Sequence, residues 1–159
     1  QPYEMLFAAP PSLVVRESIA GKINRHFALT KQGSEWDVRL WDGTSEELRS
    51  DYPNSIDEFR IVQYESCRGL EGWTVICLWL DDFIKYKQST FDEQSERQLR
   101  LGLQGDIEAR QEYAYKWSMI PLTRAVDTLV ITLKDPKSDY AAILRKVADK
   151  CKDFVEWIA

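Results

Sequence analysis

Two short stretches hold the residues best suited to chemistry. The first is Glu65-Ser66-Cys67-Arg68-Gly69-Leu70-Glu71-Gly72-Trp73, between the strand-like run Phe59–Tyr64 and the apolar run Thr74–Leu80. A glycine after an arginine lets backbone amides come close to an anion, while the guanidinium offers phosphate a fork of donors. Glu71 is a ready acceptor for hydroxyls such as those of a sugar. The second stretch is Met119-Ile120-Pro121-Leu122-Thr123-Arg124-Ala125, just before the apolar run Thr128–Leu133. An arginine at the mouth of a strand can reach across an interface to phosphate. Taken singly, neither stretch is specific: the first reads more readily as a solvated connection with Arg68 and Glu71 in water, and the second as Arg124 bridged to Asp127 or another surface carboxylate.

The elements that must position these residues follow from periodicity. Residues 1–11, with Pro2, Pro10 and Pro11, read as an entry loop, and Ser12–Arg16 is a short β-branched run. Glu17–Leu29 has helical spacing through Ile19, Ile23 and Phe27. Trp36–Trp41 alternates as a half-buried strand stopped by Asp42-Gly43, Ser45–Arg49 forms a short helix, and Asp51–Ser55 is a loop. Phe59–Tyr64 and Thr74–Leu80 are the clearest strands, the second apolar on both faces, as in the middle of a covered parallel sheet. Asp81–Thr90 is polar and reads as a loop. Phe91–Leu103 and Asp106–Trp117 read as helices, and Thr128–Leu133 as another buried strand. Tyr140, Leu144, Val147, Cys151, Phe154 and Ile158 make a helical stripe expected to pack on the sheet, with Ser138 or Asp139 as its cap. Strands alternating with helices predict an α/β layered domain with a mainly parallel sheet, whose chemistry collects beyond the carboxyl ends of the strands.

Composition bounds the rest. The 159 residues suit one domain, and six Trp, seven Tyr and six Phe exclude a disordered chain. No apolar run approaches the ~18 residues of a membrane span, and no cationic segment followed by an apolar one opens the sequence, so no signal peptide is expected in it. Lys+Arg number 21 against 26 Asp+Glu, a net charge of −5. That balance argues against a broad electrostatic nucleic-acid clamp, though not against a local basic groove. Cys67, Cys77 and Cys151 are widely spaced, no CxxC occurs and His26 is the only histidine, so no zinc site is expected. Reduced thiols fit a cytoplasmic protein. The chain opens on Gln rather than Met, and is read as a piece excised from a longer polypeptide.

Taken together, the two stretches resemble motifs V and VI of superfamily 1 helicases of the UvrD/Rep-like type. Motif V there has the general form T-x-H-x-x-K/R-G-L-E before a strand, matched here by Gln63–Glu71. Motif VI is close to Y-V-A-x-T-R-A before a strand, matched by Met119–Ala125. Order, intervening helices and flanking strands agree over residues 59–133, while residues 1–58 fit the start of the same domain only loosely. The resemblance implies a second RecA-like domain spanning 1–159, of P-loop NTPase type but without its own phosphate-binding loop. It implies Arg124 as the arginine finger that contacts the γ-phosphate. Gly69 and Glu71 would then lie near the nucleotide, Glu71 at the ribose, with Arg68 preceding the glycine and Thr123 orienting the motif VI loop. Gln63, Tyr64 and Ser66 fall where that family meets nucleic acid. Tyr64, Trp73 and Trp117 are candidate stacking residues, with core packing as the alternative for each.

Departures and absences qualify the match. Gln63 and Glu65 replace the motif V Thr and His, and a carboxylate at Glu65 would repel phosphate unless turned away. Met119-Ile120-Pro121 replaces the tyrosine-containing start of motif VI, and Gly72-Trp73 replaces the aromatic after GLE. There is no G-x-x-x-x-G-K-[ST]; the only Gly-Lys pair, Gly21-Lys22, is followed by Ile23. ATP with Mg²⁺ would therefore require an N-terminal RecA-like domain as partner, and this piece alone is expected to be inactive. Its other partner would be single-stranded or partly duplex DNA, or RNA, and no membrane. The rival classes are a non-catalytic RecA-like interaction module and a metal-dependent nuclease. For the second, no E-x-K element accompanies a suitable acidic partner.

Overall fold

A computed structural model describes residues 1–13, 40–44, 55–91 and 106–158. The readings made for Glu17–Leu29, Ser45–Arg49 and most of Phe91–Leu103 lie outside the described residues. Among the described residues five strands form one sheet: β1 (Met5–Ala9), β2 (Leu40–Asp42), β3 (Phe59–Gln63), β4 (Gly72–Cys77) and β5 (Ala125–Ile131). Their order is β2-β3-β1-β4-β5 and every pair is parallel. With three helices, α1 (Leu80–Ser89), α2 (Asp106–Leu122) and α3 (Asp139–Lys150), the described residues make an α/β fold on an all-parallel sheet.

The central strand is β1, which the prolines disguised as an entry loop. Pro2 and Pro10 flank Met5-Leu6-Phe7-Ala8-Ala9 rather than interrupt it, so every ladder amide is kept. An uncharged run of this kind is what a strand covered on both faces requires. Leu6 and Ala8 point to the larger core with Val62, Val75, Cys77, Phe83, Ile84 and Ala114. Ala9 packs on the other face with Ile61, Phe7, Leu13 and Leu78.

Three further expectations are corrected. Asp81–Thr90 is not a loop but most of α1. Leu80, Phe83, Ile84 and Lys87 are buried at helical spacing, and the lysine in the fourth place hides the period. Trp79, in the left-handed region at φ 50°, turns the chain from β4 into α1, and its amide donates to Thr132 Oγ1 at 3.0 Å. The strand near Thr128 is not buried: among the described residues β5 lies last in the sheet and pairs only with β4, leaving Val126 60% exposed. Finally, α3 stops at Lys150 instead of running to Ile158. Its buried residues are the small Ala141 and Ala148, while Val147 of the apolar stripe and the nearby Ile143 are exposed, and Phe154, beyond the helix end, is 92% exposed. Ser138 does cap α3, its Oγ accepting from the Ala141 amide at 3.2 Å. No helix among the described residues is long and apolar enough to cross a membrane.

Candidate functional site

Because β4 and β5 are neighbours and parallel, the residues just before them lie at the same edge of the sheet, the amino-terminal one. This is where Arg68, Gly69 and Arg124 meet. The carboxyl-terminal edge, expected from general α/β practice to hold the chemistry, carries Gln63 instead. The chain makes this return in one short crossover: a 3-10 turn, Tyr64–Cys67, follows β3, and Arg68–Glu71 then leads into β4. Leu70 packs against the core, and its amide donates to the Cys67 carbonyl at 3.1 Å. That anchor leaves Arg68 and Gly69 outside, both exposed. Gly69 sits at φ +77° with open space where a Cβ would be, so its glycine character serves backbone conformation rather than packing.

Arg124 is held by the end of α2. Its Nε–H donates to the Ile120 carbonyl at 3.1 Å, one Nη2–H to Thr123 Oγ1 at 3.0 Å, and its amide to the Pro121 carbonyl at 3.1 Å. Thr123 Oγ1 in turn donates to the Met119 carbonyl at 2.8 Å. Carbonyls left over at a helix C-terminus attract a cation, so the guanidinium satisfies the helix end and is fixed by it. Thr123 links the two by accepting from the arginine while it donates to the helix.

Arg68, Gly69, Lys116, Met119, Ile120, Thr123 and Arg124 line one cavity of about 290 Å³. Three cationic side chains converge there, and their donors suit the oxygens of an anion such as phosphate. Lys116 was missed in the sequence, although it shares with Ile120 and Thr123 the i, i+4, i+7 face of α2. It is paired with Glu112 at 3.0 Å. Glu71 is not part of the lining: its side chain is exposed, and its carbonyl accepts from the buried Arg60 at 2.7 Å.

Other expected site residues fall elsewhere. Tyr64 is fully buried; its ring stacks on Phe83 at 4.3 Å and its hydroxyl donates to the Leu78 carbonyl at 2.8 Å. Its side chain belongs to the core, which corrects the nucleic-acid contact expected of it. Gln63 is half-buried, and its amide nitrogen donates to the Thr44 carbonyl at 3.4 Å. Ser66 is half-buried within the 3-10 turn. Trp73 is 56% exposed at the start of β4, whereas Trp117 is half-buried beside the cavity. Glu65 is ion-paired with the buried Lys87, so its charge is neutralised within the protein.

Compared with protein-family models, curated proteins and solved structures, the chain finds no significant match. The site therefore rests on its own geometry.

Burial sets the electrostatics around that geometry. The thiols of Cys67 and Cys77 are pushed up to about 12, chiefly because burial penalises the thiolate. For Cys67 the nearby Arg124 charge works the other way without prevailing. Neither thiol is a nucleophile at neutral pH. Among the described residues no group of three or more His, Cys, Asp or Glu side chains is arranged to hold a metal ion.

Proposed function

We propose that the chain is a RecA-like motor domain that contributes one wall of an ATP site shared with a second RecA-like domain. It would be the carboxyl-terminal motor half of an ATP-dependent DNA helicase of superfamily 1. The observation that carries the reading is the meeting of Arg68 and Gly69 with Thr123 and Arg124 in one cationic cavity. These residues come from the two stretches that resemble motifs V and VI, and the all-parallel sheet that joins them is compatible with a RecA-like layered domain.

On this reading the cavity receives the polyphosphate of ATP, whose own chemistry is transfer of its terminal phosphoryl group to water. Arg124 would stabilise charge that grows on the phosphoryl oxygens, and its fixed attachment to the α2 terminus means that little reorganisation is needed. Arg68 and Lys116 would add positive potential at the rim, and the Gly69 backbone permits close approach. The residues present fit the anionic part of the nucleotide. Groups that hold Mg²⁺ and position the attacking water belong to the other domain, as does most of the affinity. Gln63 and Ser66, at the opposite edge of the sheet, remain the candidates for a single-stranded nucleic-acid contact.

The reading is tested by titrating the chain with tripolyphosphate and ATP. We expect weak binding of both, loss of binding in Arg124→Ala, and no magnesium-dependent hydrolysis by the unaltered chain. Binding that ignores Arg124, or hydrolysis by this chain alone, would overturn it.

A further inference from the structure

A half-buried indole stands beside the cavity and carries two cations. Trp117 follows the cavity residue Lys116 on α2. The guanidinium carbon of Arg68 lies 5.0 Å from the centroid of the Trp117 ring, and the ammonium of Lys87 lies 3.9 Å from it. Lys87 reaches this ring from α1, is 5% exposed, and is ion-paired with Glu65 of the turn after β3. A buried ammonium persists only when paired and solvated by protein groups, and here a carboxylate and aromatic faces supply both. Arg68 is exposed, and among the described residues its guanidinium meets the Trp117 ring. An exposed arginine side chain gives up rotamer entropy when it meets a ligand. Its contact with Trp117 is what restricts it.

We propose that Trp117 is a positioning residue for the cavity: its ring holds the Arg68 guanidinium at the rim, and the buried Lys87, ion-paired with the half-buried Glu65, braces that ring. The ligand class is a polyphosphate anion, and the inference rests on the proposed reading of the cavity. It also gives Glu65 a role. The carboxylate stands where the resembling motif has a histidine, and it anchors Lys87 under the indole instead of facing the anion.

The test is a double-mutant cycle read by tripolyphosphate binding to the chain. Loss of a cation–π contact is expected to weaken binding about two- to fivefold in Trp117→Leu. Trp117→Phe keeps an aromatic face and should restore most of it. If Trp117 acts through Arg68, Trp117→Leu adds no further loss in an Arg68→Ala background. An equal loss in both backgrounds, or none in either, overturns the positioning role while leaving the cavity reading intact. Failure of the unaltered chain to bind, or binding insensitive to Arg124→Ala, overturns the cavity reading and this inference with it. A second measurement needs no leucine variant. The fluorescence contributed by Trp117, taken as the difference between the unaltered chain and Trp117→Phe, should change in Arg68→Ala without ligand. An unchanged difference spectrum contradicts the stacking.

Discussion

The amide of Gly72 donates to the carbonyl of Arg124 at 3.2 Å. This bond ties the start of β4 to the residue before β5, and it fixes the two stretches with chemical potential side by side. A Cβ at Gly72 would come within 2.9 Å of the Thr74 carbonyl oxygen and 3.1 Å of the Glu4 carbonyl oxygen, both backbone atoms that cannot swing aside. Gly72→Ala is therefore expected to cost about 1–3 kcal/mol by denaturant unfolding and to weaken tripolyphosphate binding as the two loops part. Gly69→Ala meets open space but must hold φ +77°, so it should cost about 1 kcal/mol, from conformation alone.

The thiols give a pH-dependent prediction. Burial raises Cys67 and Cys77 to about 12 in the folded chain against an ordinary thiol near 9. Below that ordinary value both states keep the proton and the shift has no effect on stability. As pH rises from 9 toward 12 the unfolded chain releases protons that the folded chain retains. Stability should then fall by roughly 1 kcal/mol per thiol per pH unit. With a disulfide-exchange reagent at pH 8, the native chain should expose the thiol of Cys151 rapidly, and those of Cys67 and Cys77 only after denaturation.

At the carboxyl edge of the sheet, the buried Asp81 accepts from the amides of Lys134 at 2.8 Å and Asp135 at 3.0 Å. Asp81→Ala strands two amides and should cost about 3 kcal/mol by thermal or chemical unfolding. The neighbouring Asp82 offers a contrast in acid. Partial burial pushes its carboxyl up, but hydrogen bonds from Lys134 and Ser12 and the charges of Lys134 and Lys85 outweigh it, leaving the carboxyl below its ordinary value. A depressed carboxyl stabilises above its unfolded value and loses that contribution as pH falls through the folded one. Asp82→Asn should therefore lower stability by up to about 1 kcal/mol near pH 7, and by nothing once the carboxyl is protonated.

What the sequence disclosed depended on whether apolar period and neighbours agreed. Phe59–Gln63 and the Thr74–Cys77 core of β4 were legible because each centres on β-branched apolar residues, Ile61-Val62 and Val75-Ile76, at strand length. The helical face of α1 was hidden by Lys87, whose burial depends on Glu65, a partner far away in the chain. β1 was hidden by prolines that flank it. Burial of β5 was overread, since a strand's composition does not say that it lies last in the sheet. Arg68, Gly69, Thr123 and Arg124 were named from motif resemblance, and they line one cavity. Glu71, named on the same grounds, lies outside it, and Tyr64 lies in the core. Lys116 was findable from its helical phase with Thr123, but only once α2 was known to run on to Leu122.

The central claim is that Arg124 acts on the phosphates of a nucleotide bound between this domain and a second one. It is tested most directly in a polypeptide that joins this chain to the second domain the proposal requires, by steady-state ATP turnover of Arg124→Ala beside single-stranded DNA binding. The account predicts a loss of about 10³-fold or more in turnover, with DNA affinity nearly unchanged. Near-normal turnover would contradict it.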